Sequence, residues 1–173
     1  VLEAVAENKE KAAATPVVRS KSGIIVKGLY DVAVHFSKCC SPVPGDEIVG
    51  FVTRGRGVSI HRTDCINIMN LSELEKVRLI DAEWQQGAEH GDNGLYLAEI
   101  KIFGNNRTGL LVDITRIFTE REIDISSINS KTSKQGVAPI SISFNTKGKE
   151  ELSSLIEKIR QVESVIDIER TTG

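Results

Sequence analysis

The chain has 173 residues, of which 40% are hydrophobic and 5% aromatic, and its formal net charge is −2. This composition predicts a soluble protein of one or two domains with modest cores, and the near-zero charge excludes nucleic-acid binding by the surface as a whole. Because there is neither an apolar run of membrane-span length nor a signal peptide, we expect a cytoplasmic protein with no membrane partner.

The first segment, residues 1–21, is rich in the helix formers Ala, Glu and Lys, and Pro16 interrupts it. Since the chain starts in mid-pattern without Met, we expect this segment to be a linker or the tail of a helix from an upstream domain. A polar, glycine-rich stretch at residues 87–94 predicts a second linker. Two domains are therefore predicted, at residues 22–86 and 95–172.

The first domain contains two strand-like runs, at 48–53 and 58–61, joined by a glycine-containing hairpin loop. Thr63 is expected to cap a short helix over 64–70, and residues 77–84 are expected to form a closing strand. The elements predict a small mixed α/β domain of roughly 65 residues, a size at which a bound metal contributes useful stability.

The second domain alternates strand-like and helix-like patterns. Strands are predicted over 96–102, 125–132, 140–144 and 165–170, and helices over 110–118 and 152–159. The order βαββαβ is that of a ferredoxin-like split unit. Pro139 is expected at the start of its strand or at a bulge, because the third strand of this topology is internal and Pro has no N–H to donate.

All three cysteines of the chain lie in one stretch with a histidine, as Cys39, Cys40, His61 and Cys65. Adjacent cysteines rarely form a disulfide, because their Cα atoms are only about 3.8 Å apart. Three thiolates and one imidazole, in contrast, complete the tetrahedral shell of a structural zinc ion, which we predict here. The alternative is a set of buried reduced cysteines beside a surface histidine.

Neighbouring residues set the expected geometry of this cluster. The turn at 41–45, with two prolines, is expected to make the adjacent cysteine side chains converge. Cys65 is expected in the first turn of a helix, where the helix N-terminus lowers the pKa of a thiol. We expect His35 to flank the site and His90 to be solvated in the linker. A closed four-ligand shell disfavours a thiol or zinc hydrolase.

Residues 39–46 and 50–65 resemble the zinc-finger-like, or ribosome-intersubunit (RIS), domain of long RelA/SpoT-type stringent-response enzymes. Residues 106–114 and 128–129 are similar to the ACT domain that follows it in those enzymes. The two resemblances together cover residues 22–172. They imply an α+β fold, with a small zinc-finger-like mixed α/β domain before a ferredoxin-like ACT domain.

In that family the intact enzyme makes (p)ppGpp by pyrophosphate transfer from ATP to GTP or GDP, and usually hydrolyses it, through upstream catalytic domains. The resemblance therefore implies a regulatory fragment without catalytic residues. It further implies docking on large-subunit rRNA of a ribosome whose A site holds uncharged tRNA, signalling to the upstream domains, and zinc ligation by Cys39, Cys40, His61 and Cys65.

Arg54, Arg56 and Arg62 are expected to form a compact basic tip on an otherwise neutral domain. Guanidinium groups bind phosphate bidentately or stack on unpaired bases, and glycines beside them permit close backbone approach. With the resemblance, RNA binding by this tip is favoured. Without it, a solvated hairpin with ordinary surface arginines is the simpler interpretation.

ACT domains commonly bind a small amino acid at the loop between the first strand and helix, usually across a dimer interface, so the resemblance suggests a branched-chain amino acid and a homodimer. The candidate ligand-binding residues are Asn105, Asn106, Arg107, Thr108, Gly109, Leu110 and Asn129. Free N–H groups at a helix start attract a carboxylate. Amino-acid sensing is thus the alternative function, and a purely docking and dimerising domain is equally open.

Overall fold

The computed structural model describes residues 23–27, 32–85, 94–131 and 136–171. The predicted N-terminal segment, all but the last residue of the predicted linker, and His90 lie outside the described residues. Within the described ranges the chain forms two β-sheets and four α-helices. None of these helices is long and apolar enough to cross a membrane.

The first sheet has five strands in the order β1-β5-β3-β4-β2. The strands are β1 Ile24–Val26, β2 Val34–Phe36, β3 Ile48–Val52, β4 Val58–Arg62 and β5 Leu79–Trp84. The predicted hairpin is confirmed as β3 and β4, which pair antiparallel up to Val52 and Val58. β2 pairs parallel with β4, and β5 lies inside the sheet between β1 and β3 rather than closing its edge.

Two one-turn helices follow β4: α1 Ile66–Met69 and α2 Glu73–Lys76. The prediction of a Thr63 cap is wrong, because the N-cap residue of α1 is Cys65 and its side chain makes no capping hydrogen bond. α2 begins with a capping box, in which the Ser72 hydroxyl accepts from the Glu75 N–H and the Glu75 carboxylate accepts from the Ser72 N–H.

The second sheet has four antiparallel strands in the order β7-β8-β6-β9. The elements are β6 Tyr96–Asn105, α3 Leu110–Glu120, β7 Ile125–Ser130, β8 Val137–Thr146, α4 Lys149–Arg160 and β9 Val165–Arg170. This confirms the predicted ferredoxin-like βαββαβ order. Alternate residues of β6 and β8 point inward to meet the apolar faces of both helices, which builds a continuous core.

Pro139 is the third residue of β8 and lies opposite Phe103 of β6, where the pairing of β6 with β9 shifts register between Phe103 and Gly104. Its carbonyl accepts the Lys131 N–H at 3.3 Å. Because the N and C=O of one strand residue point to the same neighbour, the missing N–H faces the β7 side, just past the last residue of β7. The internal strand therefore tolerates proline at a point where its neighbour has already ended.

The two sheets meet along the loop that follows the cysteine pair. Val43 of this loop is fully buried within the core of the second sheet. Beside it, the rings of Phe36, Trp84 and Tyr96 contact one another with centroids 5.5 to 5.7 Å apart. The fold therefore places the cysteine loop directly between the two sheets.

Candidate metal centre and neighbouring surfaces

Three thiols and one imidazole converge at one end of the first sheet. Cys39 and Cys40 lie in the turn after β2, His61 lies in β4, and Cys65 is the N-cap residue of α1. Their ligand atoms all lie within 4.8 Å of one another. The structure thus brings together all four residues predicted as metal ligands.

The spacing of the four donors suits a tetrahedral ion. The Cys39 Sγ lies 3.4 Å from both the His61 Nδ1 and the Cys65 Sγ, and the Cys40 Sγ lies 3.9 Å from the same Nδ1. Sulfur at about 2.3 Å and nitrogen at about 2.0 Å from a zinc ion would be roughly 3.5 to 3.8 Å from one another. Both the donor chemistry and these distances fit zinc.

The adjacent cysteines converge because the chain turns through them. The Ser41 N–H donates to the Ser37 carbonyl at 3.0 Å, which closes a single helical turn around Cys39 and Cys40. Ser41 itself has a φ of 44°. The bend expected from the prolines at 41–45 therefore begins earlier, at residue 37, and includes the cysteine pair.

Three hydrogen bonds orient the ligands. The Ser59 hydroxyl lies 3.1 Å from the His61 Nε2, so the Nδ1 atom faces the thiols. The Ser37 hydroxyl lies 2.8 Å from the Cys39 Sγ, and the Arg62 N–H donates to the Cys40 Sγ at 3.3 Å. Such partners fix ring orientation and stabilise thiolates. Ser37 and Ser59 each lie two residues before a ligand, a spacing that could have identified them in the sequence.

The thiols differ in their readiness to ionise. Burial raises the pKa of Cys39, but hydrogen bonds with Ser37, Asn67 and Cys65 outweigh it, so the pKa lies below its usual value. Burial raises the pKa of Cys40 and of Cys65. The predicted lowering of the Cys65 pKa is therefore wrong, since a one-turn helix does not compensate for a fully buried thiol. Burial, with a smaller effect of His35, lowers the pKa of His61.

His35 is an exposed residue of β2 that pairs with Ser59 in the parallel register. It lies outside the four-residue ligand set. Its position beside Ser59 agrees with the expectation of a histidine that flanks the site.

Arg62 does not belong to the basic tip, contrary to the prediction. It ends β4 at the side opposite the hairpin loop and is 6% exposed. Its guanidinium donates to the Asp64 carboxylate and to the carbonyls of Cys40 and Thr171, the last two at 3.3 and 3.4 Å. A buried arginine with these partners braces the cysteine loop and cannot contact RNA.

Arg54 and Arg56 are both exposed in the hairpin loop. Thr53 closes the loop, because its N–H and its hydroxyl both donate to the Gly57 carbonyl, at 2.9 and 2.7 Å. Gly57 has a φ of 76°, and a Cβ there would lie 2.1 Å from the Ala33 carbonyl oxygen. The loop is therefore tightly built, with two arginines projecting from it.

Arg78 is a third arginine at this end of the sheet, and the sequence alone does not predict its position there. The Arg78 guanidinium lies 4.6 Å from the centre of the Phe51 ring, and its Nε donates to the Val52 carbonyl at 2.9 Å. β5 pairs Leu79 with Phe51, which brings Arg78 beside the hairpin although 22 residues separate it from Arg56. The proximity depends on sheet order, which local pattern does not predict.

In the second domain, the loop before α3 is held by hydrogen bonds to α3 and to the turn before β9. The Arg107 guanidinium donates to the Ser164 hydroxyl at 3.1 Å, to the Asp113 carboxylate at 2.8 Å and to the Glu163 carbonyl at 3.0 Å. The N–H of Asn105 also donates to Ser164, through its carbonyl, at 2.8 Å. These contacts tie the predicted amino-acid loop to the turn before β9.

The candidate ligand-binding residues divide into two places. Residues 105–110 are contiguous, with Gly109 in the left-handed region at the N-cap of α3. Asn129 pairs with Ser141, which pairs with Lys101, so it lies about 13 Å along the sheet from Asn105. The register therefore does not bring Asn129 to the loop.

Comparison with known proteins gives one family match for each of the two domains. Residues 24–85 match the RelA/SpoT RIS domain family, and residues 92–170 match an ACT domain family. A solution structure of the ACT domain from the GTP pyrophosphokinase of Chlorobium tepidum is 26% identical, with a TM-score of 0.41, and covers 46% of this chain and 90% of that one.

Whole-protein relatives match both domains in one alignment. The GTP pyrophosphokinases of Streptomyces coelicolor and Escherichia coli K12 are 38% and 36% identical over 87% and 92% of this chain. The bifunctional (p)ppGpp synthase/hydrolase RelA of Mycobacterium tuberculosis is 37% identical over 87% of it. The chain spans 17%, 21% and 20% of these proteins' lengths.

The fold and the site define a two-domain class, in which a sheet domain with a cysteine and histidine cluster is joined to a ferredoxin-like ACT domain. The chain belongs to the RelA/SpoT family, of which it carries the RIS and ACT domains of the regulatory region.

Proposed function

We propose that this chain is the regulatory module of a (p)ppGpp synthetase/hydrolase and acts by docking on large-subunit ribosomal RNA. In this proposal its role is regulatory, and it transmits the docked state to catalytic domains elsewhere in the protein. The observation that carries the proposal is the exposed pair Arg54 and Arg56 on a rigid hairpin within the RIS match.

The hairpin suits RNA for three physical reasons. Its two exposed guanidinium groups can each bind phosphate bidentately. Gly55, between the two arginines, has a positive φ and open space where a Cβ would lie, which allows close backbone approach. Arg78 above Phe51 adds a third cation and an aromatic ring beside the loop, the pair of groups that stacks on unpaired bases.

A charge-reversal variant tests ribosome docking. Arg54→Glu/Arg56→Glu should abolish co-sedimentation of the chain with ribosomes, whereas wild-type binding should weaken steeply as salt rises. Arg116→Glu/Arg121→Glu, the same charge change at exposed residues of the second domain, is the matched control and should still sediment. Equal sedimentation of the hairpin variant and the wild type would exclude this surface.

We propose zinc as the metal at Cys39, Cys40, His61 and Cys65. With four protein ligands the ion would have no open position, so it would supply structural stability rather than chemistry. Elemental analysis should find one zinc per wild-type chain, loss in Cys39→Ser and retention in His35→Gln. A folded wild-type chain without metal would make the cluster a thiol core.

Amino-acid sensing is a second candidate, supported by the ACT match and by the left-handed Gly109 at the start of α3. A ligand carboxylate at this loop would compete with Asp113 for Arg107, which predicts weak binding. Calorimetric titration with valine, isoleucine and leucine tests it. Absence of heat and of any thermal shift at millimolar ligand would reject sensing without affecting the docking proposal.

A further inference from the structure

Residues 39–46, termed here the bridging loop, belong to the metal centre at one end and to the second domain at the other. Cys39 and Cys40 supply two of the four ligands. Only three residues later, Val43 is fully buried in the core of the second sheet. The Pro44 carbonyl then accepts the N–H of Lys149, the first residue of α4, at 2.8 Å.

Asp46 fixes the far end of the loop to β9. Its carboxylate, 8% exposed as a residue, accepts two hydrogen bonds from Arg170, at 2.7 and 2.9 Å, and one from the Val43 N–H at 2.9 Å. Arg170 also donates to the Ser41 carbonyl at 3.2 Å. A bidentate pair with this little solvent contact is geometrically demanding and costly to break on one side.

Close backbone approach shows how tightly the loop fits the second domain. A Cβ added to Gly45 would lie 2.9 Å from the Lys149 Cβ, and one added to Gly148 would lie 3.0 Å from the Pro44 carbonyl oxygen. On the metal side, Arg62 joins the Cys40 carbonyl to the Thr171 carbonyl. The bridging loop is therefore held by close contacts on both sides, from the metal ligands to the core of the second domain.

We propose that the bridging loop couples metal occupancy to the stability of the ACT domain. Ligation fixes Cys39 and Cys40, which holds Val43 and Asp46 in place against β9 and α4; loss of the ion releases that support. A ligand that binds only the folded state stabilises whatever unfolds together with its site. The proposal rests on the proposed zinc site and adds that its effect crosses into the second domain.

The chain contains its own reporter, because Trp84 is the only tryptophan and lies at this junction. Its indole N–H donates to the Asp46 carbonyl at 3.0 Å, and its ring stacks on Phe36 and meets Tyr96 edge-on. Displacement of the loop would expose the indole to water. Trp84 fluorescence therefore follows docking of the loop directly.

The test compares the whole chain before and after zinc removal by a chelator, with zinc measured by elemental analysis. We expect a red shift of Trp84 emission and an increase of about tenfold or more in amide hydrogen exchange over α4 and β9. Loss of one zinc without any change in α4 and β9 exchange would overturn the coupling and leave the zinc site intact. A wild-type chain that never contains metal would overturn both.

Asp46→Asn separates coupling from ligation, because it leaves all four ligands in place. It should retain one zinc per chain, while exchange over α4 and β9 should no longer respond to zinc removal. Asp167→Asn is the matched control: this β9 carboxylate lies 3.9 Å from Arg160 at the surface, and the variant should respond as the wild type does. Should Asp46→Asn not fold, Val43→Ala replaces it. A wild-type response in a folded Asp46→Asn or Val43→Ala chain would overturn the coupling.

Discussion

Arg62 and Arg56 show how differently two arginines of one strand-and-loop unit can be used. Arg56 projects from the hairpin. Arg62, six residues later, is buried and donates hydrogen bonds to Asp64 and to two carbonyl oxygens. The sequence presents both as basic residues beside glycine or histidine. What separates them is position, since Arg56 lies in the loop before β4 and Arg62 at the far end of that strand, together with the long-range contact between Arg62 and Thr171.

Asp64 is expected to stabilise the fold in a pH-dependent way. Hydrogen bonding to Arg62 is the main cause that holds the pKa of Asp64 below its usual value. The stabilisation is therefore present above the unfolded pKa of about 4 and is lost as pH falls through the lower folded pKa. Since Asp64 is largely exposed, Asp64→Asn should lower the free energy of unfolding at pH 7 by only about 0.5 to 1 kcal/mol.

Urea unfolding of wild type and Asp64→Asn at pH 7 and near pH 3 measures this difference. The gap between the two proteins should narrow at the lower pH. Glu83→Gln, at an exposed pair with Lys27, provides the control and should change stability little at either pH. A gap that persists unchanged at low pH would contradict the assignment to the Asp64 charge.

Two glycines of one loop form a matched pair for a steric prediction. Gly57→Ala should cost about 3 kcal/mol or more, because the new Cβ would collide with the Ala33 carbonyl in addition to the strain of positive φ. Gly55→Ala has the same kind of φ but open space around it, so it should cost only about 1 kcal/mol. Thermal unfolding of both variants provides the measurement, and equal costs would refute the collision.

At the scale of elements, strand β4 orients the metal ligand through Ser59. Ser59→Ala should weaken zinc binding by about tenfold, since the imidazole would lose the contact that directs Nδ1 toward the thiols. Competition with a chromophoric chelator measures the affinity. Ser141→Ala, at a strand position of the second sheet, is the control, and an unchanged affinity in Ser59→Ala would remove the serine from the site.

The elements differ in how much of them the sequence could predict. β6 and β8 are ten residues each and alternate strictly between inward and outward residues. Their pattern therefore predicts part of each strand, at 96–102 and 140–144, but not the remaining residues. β1 has three residues, too few for any period to show, and it exists because β5 supplies its partner. The sequence predicts α1 too early because Thr63 resembles a cap. Thr63 instead extends the strand pairing by one residue, since its N–H donates to the Glu47 carbonyl, and the helix begins only after Cys65.

The candidate site, like the fold, has one part that the sequence predicts and another that it does not. Three cysteines and a histidine within 27 residues predict a metal cluster by composition, and the fold does bring them together. Arg78 beside the hairpin and Arg62 beneath the loop depend on sheet order and on a contact across 109 residues. No local pattern contains that information.

At the scale of the whole molecule, Val43 is a residue of the first domain that contributes to the core of the second. Val43→Ala should destabilise the second domain by about 2 kcal/mol, through lost apolar contact and the cavity left behind. Far-ultraviolet dichroism, which reports both sheets, and Trp84 fluorescence should show a shared, lowered transition. An unchanged midpoint would mean that the second core closes without Val43.

The contact between Asp46 and Arg170 also bears on how this protein can be dissected. A cut within residues 86–91 would separate the two family matches. The first piece would then expose Val43, Asp46 and Trp84 to water, and the second would keep Arg170 without its Asp46 partner. Expression of either domain alone, with a boundary in the predicted linker, would therefore yield a protein with exposed apolar or unpaired charged surface that is prone to aggregate. The unit to produce, crystallise or transplant between relatives is the pair.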